Sequence, residues 1–161
     1  MASEPASIKD YEIVSKLGSG SFGVVYKIKR KKDNQLFVLK QIDTSTMNSA
    51  QRRDALKETT ILKGLQNPYI VKYVTHFTDR KRINIIMEYC DAGDLGGYMK
   101  KQMGRNLSES KIWKFFIQIC LGVQYLHSRK ILHRDIKTIN MFLMKDESLR
   151  VGDLGVAKML N

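Results

Sequence analysis

The sequence predicts an α+β chain in two parts, and two observations predict it. From Tyr11 to Glu88, five short segments rich in β-branched and aromatic residues surround a single helical stretch; from Asp94 onward the character is mostly helical. The segments Tyr11 to Leu17, Val24 to Ile28 and Leu36 to Gln41 are separated by a glycine-rich turn and a Lys-Asp-Asn turn, so they read as an antiparallel meander. Ser49 to Leu65 is rich in Ala, Leu, Lys and Glu, and Leu56, Ile61, Leu62 and Leu65 supply its apolar face. Asn67-Pro68 closes that helix. Ile70 to Phe77 and Ile83 to Glu88 return to strand composition across the polar turn Thr78 to Arg82.

A longer helix follows. Ser108 is its predicted N-cap, Glu109 favours its first turn, and Ile112, Phe116, Ile119, Val123 and Leu126 recur at alternating four and three spacing as the expected core stripe. Beyond it, Lys130 to Gly155 holds short apolar runs broken by charged residues, and no internal repeat is visible.

Composition narrows the class. The chain has 161 residues, 43% hydrophobic and 27% charged, which suits a globular fold of one core or two small lobes. MASEPAS lacks the basic flank and apolar run of a secretory signal, and no apolar stretch reaches membrane-spanning length. Cys90 and Cys120 stand alone, so neither a disulfide framework nor a zinc site is indicated, and a reducing compartment is expected. The net charge of +12 invites an acidic partner. The basic residues, however, fall in small clusters beside turns (Lys29 to Lys32, Arg80 to Arg82, Lys100 and Lys101) with no nucleic-acid motif among them, which favours an ordinary solvated surface.

Four constellations carry chemistry. Gly18, Gly20, Gly23 and Val25 form G-x-G-x-x-G-x-V. A dinucleotide fingerprint shares these glycines but must open a helix, whereas here Val-Val-Tyr-Lys-Ile follows, a strand. Glycines in such a loop let backbone N–H groups approach phosphate oxygens, although turn geometry alone is a simpler use of them. Lys40 ends the apolar run Phe37-Val38-Leu39; it either snorkels to solvent or, if buried, needs an anionic partner. Glu58 is the expected counter-ion, with four other acidic residues between Asp33 and Asp79 in competition. His133-Arg134-Asp135-Ile136-Lys137-Thr138-Ile139-Asn140 embeds basic, acidic and amide groups between apolar segments, an arrangement that is costly without a task. Asp153-Leu154-Gly155 begins thirteen residues past Asn140.

In this order the four motifs resemble those of protein kinases. The fold the resemblance implies is a five-stranded antiparallel N-lobe sheet with one regulatory helix, then the first, mostly helical part of a C-lobe. The implied divisions are a tail over 1–10, an N-lobe over 11–87, a hinge over 88–93 and a partial C-lobe over 94–161. Met87 to Leu95, Arg129 to Lys137 and Phe142 further resemble the NIMA-related (Nek) Ser/Thr kinases, and Lys137 resembles Ser/Thr rather than tyrosine kinases.

The implied reaction is ATP- and Mg²⁺-dependent phosphorylation of Ser or Thr hydroxyls on protein substrates. By resemblance, Leu17, Gly18, Ser19, Gly20, Ser21, Phe22, Gly23 and Val25 cover the nucleotide, and Lys40, held by Glu58, neutralises its α and β phosphates. Val38 and Phe142 enclose the adenine, Met87 is the gatekeeper, and Glu88 to Cys90 offer it backbone bonds. Asp135 orients the attacking hydroxyl and accepts its proton, Lys137 stabilises the transferring phosphoryl group, and Asn140 and Asp153 hold Mg²⁺. Two departures stand out. Val38 replaces a common alanine, and Leu154 replaces the usual phenylalanine while remaining able to pack in a spine with His133, Tyr73 and Leu62.

The chain stops six residues after Gly155, before the activation loop and A-P-E motif that the resemblance calls for. The resulting expectations are a fragment weak or inactive alone and exposed apolar surface on the long helix. By the same resemblance, the β-branched Val156 directly after Asp-Leu-Gly implies a preference for threonine over serine. The Nek resemblance implies a cytoplasmic location with microtubule, centrosomal, axonemal or ciliary partners, and no membrane or specific nucleic-acid partner. A structural or docking role on such assemblies is the rival reading.

Overall fold

The computed structural model describes residues 7–20 and 23–160, apart from the side chains of Gly20, Asp54, Lys57 and Glu58. The chain divides into two units: residues 1–64 with 73–89, and residues 65–72 with 90–161.

The first unit is built on an antiparallel sheet of β1 (Tyr11–Gly20), β2 (Gly23–Arg30), β3 (Leu36–Asp43), β4 (Tyr73–Asp79) and β5 (Arg82–Glu88), in the order β1-β2-β3-β5-β4. Directly paired residues share a face, and faces alternate along each strand. One face therefore carries Tyr11, Ile28, Phe37, Leu39 and Ile86, the buried apolar cluster of this unit. A T-shaped contact between Tyr11 and Phe37, with ring centroids 6.3 Å apart, closes it.

The β4–β5 turn has only Arg80 and Lys81 between paired residues, both at positive φ (45° and 63°), which matches the right-handed strand twist without a glycine. The helix α1 (Ser49–Lys63) starts at Asn48, whose side chain accepts from the N–H of Gln51 while Gln51 returns a bond to the N–H of Asn48.

The second unit holds α2 (Leu95–Lys101), α3 (Glu109–Ser128) and four short strands: β6 (Ile131–Leu132) paired with β9 (Lys158–Met159), and β7 (Met141–Leu143) paired with β8 (Leu149–Val151). Ser108 caps α3 as expected.

Several boundaries differ from the sequence reading. Strands β1 and β2 run through the glycines to Gly20 and Gly23, because the strands keep pairing up to Gly20 opposite Gly23. Ile70 is no strand-β4 residue; it bridges in parallel to Val151, and 65–72 belongs to the second unit. Leu56, assigned to the buried face of α1, is 39% exposed.

The largest difference concerns α3. Ile112 and Phe116, expected in the core stripe, are 52% and 53% exposed, and the buried residues are Phe115, Gln118, Gly122 and Leu126. Two anchors turn the helix to this face. Gln118 accepts the N–H of Leu149 (2.8 Å) and donates to the carbonyl of Glu147 (3.4 Å). At Gly122 a Cβ would come within 2.9 Å of the Tyr69 carbonyl and of Val151 Cγ2, so only glycine allows this approach. Trp113, Ile117 and Leu121 are exposed on the same side of α3 as Ile112 and Phe116, whereas Leu126, at the end of the predicted stripe, is fully buried. Both cysteines are free, and among the described residues no helix is long and apolar enough to cross a membrane.

Candidate active site

In the first unit, the pairings Val25 to Lys40 and Val38 to Met87 put four predicted nucleotide-site residues on one face of the sheet, opposite the apolar cluster. Lys40 is only 6% exposed, which rules out snorkelling to bulk solvent and leaves the reading in which a buried ammonium is stabilised by an anionic partner. The side chain of Glu58 lies outside the described residues, as do Ser21 and Phe22. Leu17 is half exposed, at an irregularity in the β1–β2 pairing between Lys16 and Gly18, and Ser19 pairs with Val24.

The glycines divide by physical need. Gly23 has φ 117°, and a Cβ on it would meet the Gln41 carbonyl oxygen at 2.2 Å, so its requirement comes from β3 and not from a ligand. A Cβ on Gly18 would meet nothing within 4 Å. Packing thus gives no reason for glycine there.

In the second unit, three residues of the motif His133 to Asn140 form one bonded group. Asn140 donates from Nδ2 to the Asp135 carbonyl (2.9 Å) and to Asp135 Oδ2 (3.0 Å), and Lys137 Nζ lies 2.7 Å from the same carboxylate oxygen. The Lys137 ammonium, with help from Asn140, holds the Asp135 carboxyl below its ordinary value of 3.8 despite the opposing effect of desolvation. Asp135 therefore stays ionised and is a weak base, suited to orienting a hydroxyl and taking its proton late.

His133, 3% exposed, ties this group to the Asp153 strand end. Its Nδ1 faces the N–H of Asp135 (3.2 Å) and its Nε2 faces the Gly152 carbonyl (2.8 Å). A backbone N–H can only donate and a carbonyl can only accept, so the ring is the neutral tautomer with its proton on Nε2. The N–H of Gly152 donates in turn to the Asn140 carbonyl (2.9 Å). Asp153, next in sequence, is exposed and held at φ 55°, a left-handed conformation uncommon for a side-chain-bearing residue.

Phe142 is half-buried in β7, and its ring occupies the space beside Gly152, where a Cβ would meet ring carbons at 2.6 and 2.8 Å. The neighbouring β7 residue, Leu143, exchanges backbone bonds with Ala92 and Gly93. Glu88 pairs with Phe37 at the end of β5, and Cys90 is buried in the second unit. The proposed spine takes Leu62 and Tyr73 from the first unit and His133 and Leu154 from the second; Leu154 is 1% exposed, and the Tyr73 hydroxyl lies 2.6 Å from His76 Nδ1.

No group of three His, Cys, Asp or Glu suited to a metal occurs among the described residues. Mg²⁺ does not require one, since it keeps several waters and takes one or two carboxylates together with phosphate oxygens. The oxygen donors of Asp153 and Asn140 fit that chemistry. With Asn140 Nδ2 engaged by Asp135, its Oδ1 is the atom suited to a cation.

Residues 11–161 match the protein kinase domain family, and the chain belongs to it. Among its curated relatives, the mouse Serine/threonine-protein kinase Nek1 is 38% identical over 154 residues, covering 96% of this chain and 13% of that protein. The human Serine/threonine-protein kinase Nek5 is 40% identical over 152 residues (94% and 22%), and the probable serine/threonine-protein kinase nek2 of Dictyostelium discoideum is 42% identical over 158 residues (94% and 38%). The chain thus spans well under half the length of each of these three relatives.

Sequence reasoning missed Gly152 as a site residue and placed His133 only in the motif and the spine. The one available signal was a glycine directly between the apolar run Leu149 to Val151 and Asp153.

Proposed function

We propose that this chain carries the nucleotide-binding and phosphoryl-transfer residues of a Ser/Thr protein kinase of Nek type. The observation that carries this reading is the bonded group of Asp135, Lys137 and Asn140, joined through His133 and Gly152 to the neighbour of Asp153. Phosphoryl transfer asks a protein mainly to position charge and match it, with little covalent work. In this reading Asp135 orients the substrate hydroxyl, Lys137 faces the transferring group, and Lys40, held by Glu58, meets the other phosphates. Bound Mg²⁺ supplies neutralisation of charge on the phosphate oxygens, with Asn140 and Asp153 as its ligands. In this reading residues 88–93 are the hinge, 11–87 the N-lobe and 94–161 a partial C-lobe, and Lys40, Asp135, Asn140 and Asp153 all act on the same nucleotide.

Substrates are proteins, with threonine favoured over serine by Val156, and the Nek resemblance supports a cytoplasmic protein acting at the centrosome, basal body or cilium. The rival docking role finds no support among the relatives above, each of which is named as a kinase.

The test is γ-phosphoryl transfer from ATP to paired Ser and Thr peptides, by the chain and by a longer form extended through the segments its relatives carry. Asp135→Asn is expected to abolish transfer while nucleotide binding persists. With Mn²⁺ and ADP, resonances of Lys40, Asn140 and Asp153 should broaden together; broadening of none, or of Lys40 alone, would defeat this reading.

A further inference from the structure

The start of α2 lies against the short 3-10 turn Thr138–Asn140, and Gly96 is the point of closest approach. A Cβ on Gly96 would stand 3.0 Å from Ile139 Cγ2 and 3.1 Å from Thr138 Oγ1, with Asp94 Oδ1 also at 3.1 Å. Those distances are tighter than side chains ordinarily tolerate, so a neighbour would have to give way by a few tenths of an ångström. Asp94 has little freedom to do so, because it caps α2 by accepting the Gly97 N–H at 2.8 Å. Thr138 and Ile139 are exposed and can move outward. They precede Asn140 directly in a turn whose backbone bond runs from the Asn140 N–H to the Lys137 carbonyl (3.0 Å). The obstructing atoms sit on β-branched side chains, one bond from Cβ, so the relief draws the backbone of Thr138 and Ile139 outward and with it Asn140, which holds the Asp135 carboxylate and carbonyl.

Gly97 provides an internal contrast. It lies one residue further along the same helix, but a Cβ there would touch only Asp94, at an ordinary 3.5 Å or more. Helix propensity gives neither position a reason for glycine, since glycine is the poorer helix former at both. Only Gly96 has a steric one.

We propose that Gly96 is a positioning residue for the catalytic loop: its missing side chain sets the distance of α2 from Thr138 and Ile139 and so fixes Asn140 against Asp135. The inference rests on the kinase reading for its catalytic consequence, though not for its geometry.

The experiment compares Gly96→Ala with Gly97→Ala in the full chain. Backbone amide resonances of Thr138, Ile139 and Asn140 are expected to move in Gly96→Ala and to stay in place in Gly97→Ala, with both variants folded by circular dichroism. Misplacement of a reacting group by about 1 Å costs about a hundredfold in rate, so a displacement of a few tenths should lower kcat about tenfold. The Mg²⁺ concentration for half-maximal transfer should rise with it, and Gly97→Ala should change neither. Adding Thr138→Ala and Ile139→Ala to Gly96→Ala removes the obstructing atoms and should restore both values and the Asn140 resonance. Unmoved 138–140 amides in Gly96→Ala, or a loss that the trimmed loop does not restore, would overturn the proposal. If no form of the chain transfers phosphate, the kinase reading fails, while the amide shifts still decide whether Gly96 positions the loop.

Discussion

The charge state of Asp135 is set by its immediate neighbours. Lys137 and Asn140 favour the carboxylate, so its folded pKa lies below the ordinary 3.8. Because the folded pKa is depressed, the stabilisation from this pairing is present above the unfolded value and fades as pH falls through the folded one. Lys137→Ala should move the Asp135 carboxyl titration, followed by carboxyl carbon shifts, upward toward 3.8; an unchanged midpoint would assign the depression to other groups. His133 offers a second test at this scale. His133→Phe keeps an aromatic ring, a somewhat larger one, but leaves the buried Gly152 carbonyl without its donor, a loss of about 1–3 kcal/mol in stability measurable by denaturant unfolding. Transfer should weaken as well, since the link from Asp135 to the Asp153 strand end is cut.

Elements are oriented here by a few residues whose needs are specific. On α3, Gln118 and Gly122 decide which face turns inward, against the apolar periodicity that favours Ile112 and Phe116. Gly122→Ala gains about 1 kcal/mol of helix propensity but presses a methyl group onto the Tyr69 carbonyl and Val151, an overpacking cost of about 1–3 kcal/mol. Net destabilisation of about 1–2 kcal/mol is expected by thermal or denaturant unfolding; a stabilised variant would show that helix and strand can separate freely. The start of α3 is also tied to the β7–β8 turn, where Glu147 meets Lys111 at 2.6 Å and Lys114 at 3.1 Å. These pairs are partly exposed, so their part in stability is small and they serve mainly to set register.

Across the whole molecule, apolar surface is unevenly distributed. Trp113 and Phe116 form a T-shaped pair on α3 with centroids 5.8 Å apart, both about half exposed. Since they bury little, Trp113→Lys combined with Phe116→Glu should leave unfolding stability within about 0.5 kcal/mol while reducing binding of a hydrophobic dye. A large loss of stability would show that the pair supports the core. The net charge of +12 is dispersed, and several cations are engaged locally, as Lys29 is with Glu12 (2.9 Å) and Arg30 with Asp33 (2.6 Å).

The five strands before Cys90, the helix among them, the cap at Ser108 and the polar motif His133 to Asn140 were all legible in the sequence, because each depends on residue type and short spacing along the chain. The facing of α3, the steric reason for Gly23, Gly96, Gly122 and Gly152, and the tautomer of His133 were not. Each of those depends on a partner distant in sequence: the Gln41 carbonyl, Thr138 and Ile139, Tyr69 with Val151, the Phe142 ring, and the Gly152 carbonyl. Local propensity and periodicity report what a segment can form, whereas close approach between segments is set only when the chain has folded, and that approach decides which side chains are buried and how the Asp135 carboxylate is held.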